Sequence, residues 1–421
     1  MASRIRRWLR VLGPGLITGA SDDDPSGVAT YSQAGAQFGT GLLWTMLLTF
    51  PLMVGIQEIC ARVGRVTGHG LAGNIRRAYS HWLLYSLVGL LVLANTVNIG
   101  ADIGAMGAAG NLIFSRVPPF VFVIFFAAVS LTLEIFLTYR RYAKVLMWLS
   151  LSLLAYVATA FVVHAPWGML LVSTVVPHLD SNAEYLQMIV AVFGTTISPY
   201  LFFWQASQEA EEVKAHRDAK PLLRAPQQAR WQLRRMGIDT IVGMGASNLV
   251  GWFIIVTAAT TLNRAGSVRI DSAAVAAAAL RPLAGDFAAL VFAAGIIGTG
   301  LLAVPVLAGS AAYALGEAMQ FPVGISQKPR SAPAFYAVIA SATVLGVALN
   351  FVWANPMRAL LFAAVVNGVI AVPIMAMTMA LSMNPRAMGE FVLPPRLAVL
   401  GWLATAVMAA AALGMFATLG R

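Results

Sequence analysis

Ser21-Asp22-Asp23-Asp24-Pro25-Ser26-Gly27 lies inside a stretch, 12–37, that is otherwise apolar enough to cross a membrane. Gly194-Thr195-Thr196-Ile197-Ser198-Pro199-Tyr200 does the same inside 184–208. Proline removes a backbone donor and clashes with the turn before it, so each tripeptide Asp24-Pro25-Ser26 and Ser198-Pro199-Tyr200 breaks a helix. In hydrocarbon the freed N–H and C=O groups must find partners, so such breaks persist where they line a cavity or hold something. Breaks in corresponding positions of two halves of a chain mark the substrate site of a carrier. The carboxylate of Asp24 points to a cation.

Composition agrees with a membrane setting. Of 421 residues, 59% are hydrophobic and 11% charged, against roughly 25% charged in soluble domains. Eleven stretches approach the length of about 20 apolar residues that a spanning helix needs. They are 12–37, 41–61, 82–113, 117–138, 145–163, 184–208, 237–262, 284–312, 332–351, 359–382 and 397–419. Alternating the loops between two sides puts 22 of the 28 Lys and Arg on the side of the N-terminus and 6 on the other. By the positive-inside rule the N-terminus is cytoplasmic and the C-terminus outside, in a multi-pass protein of the cell's inner (plasma) membrane. The net charge of +11 thus reports orientation towards anionic headgroups of the lipid bilayer and not a nucleic-acid partner. Arg4, Arg6, Arg7 and Arg10 ahead of an apolar run imitate a secretory leader, but three aspartates and a proline inside that run make it a retained first helix. The single cysteine, Cys60, has no internal disulfide partner, and packing is its expected role.

The reading is an all-α membrane protein of one polytopic domain, 1–421, with two five-helix repeats of inverted topology, 12–163 and 184–382, and one extra helix, 397–419. An odd number of crossings per unit turns the second unit upside down, which makes the broken helices 1 and 6 equivalent. The polar connection Glu209 to Met236, with Pro221 and Pro226, is expected to be a mobile cytoplasmic loop. A monomer is expected.

Intramembrane acids are expensive and read as functional. Asp24 is the first choice as metal ligand; Asp22 and Asp23 follow, because consecutive residues cannot all face one ion. Backbone carbonyls freed near Ser21 and Asp22 would add hard oxygens. At the second break Thr195 and Ser198 lie three apart on one helix face and offer a carbonyl and a hydroxyl to one point. The alternative for them is hydrogen bonding within their own helix. Asn95, Asn98 and Asp102 share a face of helix 3, where an interhelical hydrogen-bond network is preferred over ion contact. Glu58 and Arg62 are expected to pair along helix 2, Asp239 to sit favourably at the start of helix 7, and Glu209, Glu211 and Glu212 to form a solvated cluster, with a cation exit funnel as the alternative.

The segments Gly13-Pro14-Gly15, Asp24-Pro25, Gln57 to Gly70 (QEICARVGRVTGHG) and Gly194 to Pro199 resemble the Nramp family of divalent-metal transporters over essentially the whole chain. The resemblance implies the LeuT fold with helices 1 and 6 unwound. It also implies an aspartate and an asparagine as metal ligands on helix 1, and a methionine and a histidine on helix 6. The aspartate falls on Asp24, but the asparagine position is Gly27, the methionine position Ser198 and the histidine position Tyr200. A second family histidine corresponds to Gln205 and a helix-3 aspartate to Ile99, while Asp102 matches a family acid. Asn367 on helix 10 approximates a further polar contact to the ion. Loss of the soft thioether and the room left by glycine and serine suit Mg²⁺, which keeps several waters. The pattern is similar to the magnesium-transporting side branch of the family. The metal set expected is therefore Asp24, Ser21, Gly27, Thr195, Ser198 and Asn367. Transport of Mg²⁺, possibly Mn²⁺ as well, is expected with weak or no proton coupling, since few groups titrating near neutrality remain.

Three rival readings accompany this one. A proton-coupled Mn²⁺ or Fe²⁺ importer of the usual family type would need a soft or nitrogen ligand that helix 6 lacks at the methionine position. An intramembrane aspartyl hydrolase would use Asp24 with Asp102 but lacks the Gly-x-Gly-Asp pattern. An amino-acid carrier would bring a substrate carboxylate to a break that three aspartates make repulsive. No catalytic residues, no cofactor and no ATP-binding loop are expected: the five histidines fall in loops or near helix ends, and no Gly-x-x-x-x-Gly-Lys-Ser/Thr pattern occurs.

Overall fold

The computed structural model describes residues 13–136, 151–215, 219–266, 269–353 and 355–418. Arg4 to Arg10, Arg140 to Lys144, His216, Arg421 and the first part of the fifth expected span lie outside them. The first half of the chain forms α1 (Pro14–Asp22), α2 (Pro25–Phe38), α3 (Leu43–Thr67), α4 (Leu71–Ala78), α5 (His81–Ile113), α6 (Pro119–Phe136), α7 (Leu154–Val162) and α8 (Trp167–Val175). The second half forms α9 (Ala183–Thr196), α10 (Pro199–Ala215), α11 (Ala229–Ala258), α12 (Ala273–Ala278), α13 (Arg281–Ala284), α14 (Ala288–Met319), α15 (Pro333–Leu349), α16 (Pro356–Ser382), α17 (Pro385–Met388) and α18 (Pro395–Thr418).

Both breaks fall where proline dictates. Pro25 is the first residue of α2 and Pro199 the first of α10, positions where the missing N–H costs nothing. Among the described residues, eight helices are long and apolar enough to cross a membrane by themselves, or nine if the bent pair α7 and α8 counts as one span. The expected eleven exceeds this because α1 and α2 are each half a span and α15 has only 17 residues. Phe120, Ile124 and Phe125 on α6 and Leu403, Leu413 and Phe416 on α18 are exposed, an apolar outer surface that requires lipid.

Tight helix contacts hold the broken segments. α1 packs on α11, α9 on α16, α10 on α3 and α5 on α14. A Cβ at Gly19 would lie 2.3 Å from the Gly243 backbone, and one at Gly194 2.1 Å from the Ala364 carbonyl oxygen. Glycine at these two positions lets backbone approach backbone, the usual device of helix pairs in membranes.

The stretch expected to be a mobile loop is mostly ordered. α10 continues to Ala215, α11 begins at Ala229, and the turn between them docks on α3 through Leu222 N–H to Arg65 O at 3.3 Å and Leu223 N–H to Val66 O at 3.2 Å. Hydrogen bonds to the end of α3 outweigh the local turn composition.

Candidate ion site at the two helix breaks

Asp24 is the N-cap of α2. Its Oδ1 accepts the Gly27 N–H at 2.6 Å and its Oδ2 accepts Asn98 Nδ2 at 3.0 Å. The cap serves one of the donors that every helix start leaves unpaired, and its charge offsets the positive end of the α2 dipole. The C-terminal carbonyls of α1 and α9 supply partial negative charge at the same two breaks. The point that a Cβ on Gly27 would occupy is ringed by three oxygens: Thr195 Oγ1 at 3.2 Å, Asp24 Oδ1 at 3.4 Å and the Asp22 carbonyl at 3.5 Å. The missing side chain thus brings three oxygens around one narrow point beside the carboxylate, where a methyl group would already press on Thr195 Oγ1.

Of the six expected ligands, the structure brings Asp24, Gly27 and Thr195 together, the last through its side chain instead of its carbonyl. The Ser21 carbonyl accepts the Tyr200 hydroxyl at 3.0 Å. Ser198 turns its hydroxyl back on its own helix, donating towards Gly194 O at 2.8 Å and Thr195 O at 2.9 Å. Asn367 is buried on α16 with Oδ1 lacking a hydrogen-bond partner. Asp22 and Asp23 face away: both contact the Ser247 hydroxyl on α11, at 2.6 and 2.9 Å. Among the described residues, no Lys, Arg or His forms an ion pair with any of the three aspartates, and no three His, Cys, Asp or Glu side chains gather as a metal cage. A cation here would lean on one carboxylate, neutral oxygens and its own water.

Two of the three residues of the helix-3 face, Asn95 and Asn98, form the expected interhelical hydrogen bonds. Asn98 holds Asp24, Asn95 Nδ2 donates to Leu307 O at 2.8 Å, and both oxygens of Asp102 are buried without a well-formed hydrogen bond. Tyr200 and Asn98 were not among the expected ligands, yet both touch the break. Tyr200 stands at the family's histidine position, which was the available signal. Glu58 and Arg62 form no ion pair within 4 Å; Arg62 Nε donates instead to Phe391 O at 3.2 Å. Asp239 lies three turns into α11, and its carboxylate accepts the N–H groups of Gly13, Gly15 and Leu16 at 2.8, 2.7 and 3.3 Å. It serves the N-terminus of α1, not of its own helix. Glu209 and Glu212 are buried and paired with arginines, so the solvated cluster is corrected; Glu211 accepts the Tyr313 hydroxyl at 2.6 Å.

From this geometry the class is a multi-pass membrane protein of the LeuT-like fold, with two broken helices facing each other across an acid. The profile of the Nramp family, described as natural resistance-associated macrophage protein-like, matches residues 15–418. The chain belongs to the Nramp family. The divalent metal cation transporter MntH of Acidiphilium cryptum (strain JF-5) is 26% identical over 391 residues, covering 87% of each chain. MntH of Klebsiella pneumoniae (strain 342) is 25% identical over 413 residues, covering 95% of this chain and 92% of its own. The manganese transporter of Eremococcus coleocola, crystallised with an aromatic bis-isothiourea substituted compound, shares the fold with a TM-score of 0.74 at 17% identity, over 96% of this chain and 86% of its own. A nucleobase-cation-symport-1 family transporter in a closed conformation superposes with a TM-score of 0.53 at 13% identity, over 97% and 93% of the two chains.

Proposed function

We propose that this protein carries divalent metal cations across the inner membrane by alternating access, binding a partly hydrated ion between the breaks at Asp24 and Ser198. Family membership and the printed names of the relatives support divalent-cation transport. The observation that carries the choice of ion is the narrow point at Gly27, where three oxygens stand 3.2–3.5 Å from the vacant Cβ position. Direct ligands of Mg²⁺ stand at about 2.0–2.1 Å, so at their present spacing these oxygens would meet the ion through its water and not directly. The site suits an ion that arrives with water attached. Asp24 supplies the charge, the Thr195 hydroxyl and Asp22 carbonyl hold coordinated water, and Asn367 on α16 keeps a buried oxygen with no hydrogen-bond partner. Ser21 and Ser198 shape the break through the Tyr200 hydroxyl and the carbonyls of Gly194 and Thr195.

On this reading the donor set takes a hard divalent ion, Mg²⁺ first, and calls for no external cofactor or ATP. A divalent ion gains about 2.3 kcal/mol per charge per 100 mV of inside-negative potential, enough to drive entry without a proton. We place the N-terminus in the cytoplasm, treat 12–163 and 184–382 as inverted repeats, and take the working unit as a monomer. The names of the relatives favour a second reading, a Mn²⁺ importer. Carboxylate, carbonyl and water suit Mn²⁺ as well as Mg²⁺, but not softer metals, so Mn²⁺ is expected to compete while Cd²⁺ is not. Installing Met at Ser198 together with Asn at Gly27 tests the assignment: proteoliposome uptake should shift from Mg²⁺ towards Mn²⁺ and Cd²⁺. Unchanged selectivity would defeat the hard-ligand argument.

A further inference from the structure

A cavity of about 540 Å³ lies apart from the helix breaks, between the last turns of α5, the start of α6, the start of α12 and the turn from α15 to α16. Gly104 and Ala108, one turn apart on α5, leave its floor bare opposite Val123 of α6. Three asparagines fix its rim. Asn350 Nδ2 donates to Gly100 O at 2.8 Å, Asn355 Nδ2 to Asp271 O at 3.0 Å and Asn111 Nδ2 to Val117 O at 2.8 Å. A dry apolar cavity of about 150 Å³ takes up benzene, so this one has room for a much longer hydrocarbon. Phe120 and Phe351 line it and are themselves exposed, which puts its mouth on the apolar outer surface. Trp353, also in the lining, meets exposed Phe362 edge to face with ring centroids 6.4 Å apart, an aromatic placement typical of the membrane–water interface.

Among the described residues that line the cavity, Asp271 is the one charged group, and no Lys, Arg or His joins it. Each asparagine amide nitrogen already donates to a backbone carbonyl, so a polar group arriving here must bring its own donors. Arg358 stands across Asp271, with Nη2 3.2 Å from Asp271 Oδ1. We propose that this cavity holds one phospholipid with a primary-amine headgroup. An acyl chain fills the apolar chamber, the ammonium donates to Asp271, and the phosphate turns to Arg358, so a zwitterion meets an ion pair of matching sense. An ammonium has three N–H donors to give; a trimethylated head has none. A lipid is favoured over a soluble amine because the mouth lies on a surface where acyl chains are the solvent. Asp271 and Met357 also line a second cavity of about 270 Å³, between α2, α9 and α16, so the lipid braces a wall that the two share. The binding itself does not rest on the transport reading.

Full-length protein in detergent, stripped of lipid and then given ethanolamine, choline or glycerol phospholipids with identical chains, tests this by native mass spectrometry and thermal unfolding. One ethanolamine lipid per chain should be retained and should raise the unfolding midpoint by mass action. Choline and glycerol lipids should bind about tenfold more weakly, the loss of one hydrogen bond to a charged group. Asp271→Asn should lower ethanolamine binding to the choline level and leave choline binding as it was. Ala108→Leu should weaken retention of all three lipids, and Ala108→Trp should abolish it. Equal retention of the three headgroups by the parent overturns the headgroup assignment, and so does an unchanged ethanolamine preference in Asp271→Asn. Unchanged retention in both Ala108 variants would mean that the lipid sits elsewhere. If decylamine raises the midpoint while no phospholipid does, the occupant is a soluble amine and the lipid assignment fails. No metal enters these measurements, so they stand or fall separately from Mg²⁺ transport.

Discussion

On the transport reading Asp24 has two tasks, and they can be separated. As N-cap it accepts the Gly27 N–H, which an asparagine oxygen does equally well. As counter-charge it faces the point beside Gly27, where a unit charge at 4 Å is worth about 4 kcal/mol at an effective dielectric of 20. Asp24→Asn should therefore fold and be delivered to the membrane like the parent, while uptake falls by about 100-fold or more; uptake in proteoliposomes against thermal stability reads the split. Gly27→Ala makes the complementary test. Alanine is favoured over glycine in a helix by about 0.8–1.0 kcal/mol, and its methyl would sit 3.2 Å from Thr195 Oγ1. The propensity gain and the crowding at Thr195 oppose each other, so stability should change by no more than about 1 kcal/mol while Mg²⁺ uptake drops, and full uptake would mean that this point is not where the ion's water sits. The direction of Asp22 and Asp23 was not legible beforehand: Ser247, 225 and 224 residues away, decides it. Ser198 shows the opposite limit, a local one. Its hydroxyl is within reach of its own helix's last carbonyls, and that bond competes with any ligand.

At the scale of elements, the breaks were legible because proline acts on its own turn. Pro25 and Pro199 begin α2 and α10 whatever surrounds them. The charged end of α10 was not legible. Glu209, Glu211 and Glu212 look like a solvated cluster along the chain, but Arg65 arrives from α3 across 144 residues and turns two of them into a buried lock. Asp239 likewise serves a helix start more than 220 residues earlier. Close packing is what brings these groups into register. Gly19 against Gly243 sets the α1–α11 contact, so Gly19→Ala should force the pair apart at a cost of about 1–3 kcal/mol. A lowered midpoint of thermal unfolding in detergent is the expected result.

For the whole molecule, composition and the apolar spans pointed to a membrane protein, and the order of short motifs resembled the family that the match over residues 15–418 shows. The ion is harder to read, because selectivity lies in a few atoms at one point. Gly27, Ser198, Tyr200 and Gln205 stand at positions where the family resemblance implies other side chains, and none of the four carries sulfur. On the proposed reading such a carrier should move a hydrated divalent ion down the membrane potential, and helix 6 has no histidine at either family position. The direct test is flux into proteoliposomes with Mg²⁺ as the sole divalent ion, an inside-negative potential and a pH-sensitive dye in the lumen. The account predicts Mg²⁺ entry that Asp24→Asn abolishes, with lumenal pH unchanged. Mg²⁺ flux no greater than in empty liposomes, beside Mn²⁺ entry that acidifies the lumen, would contradict it.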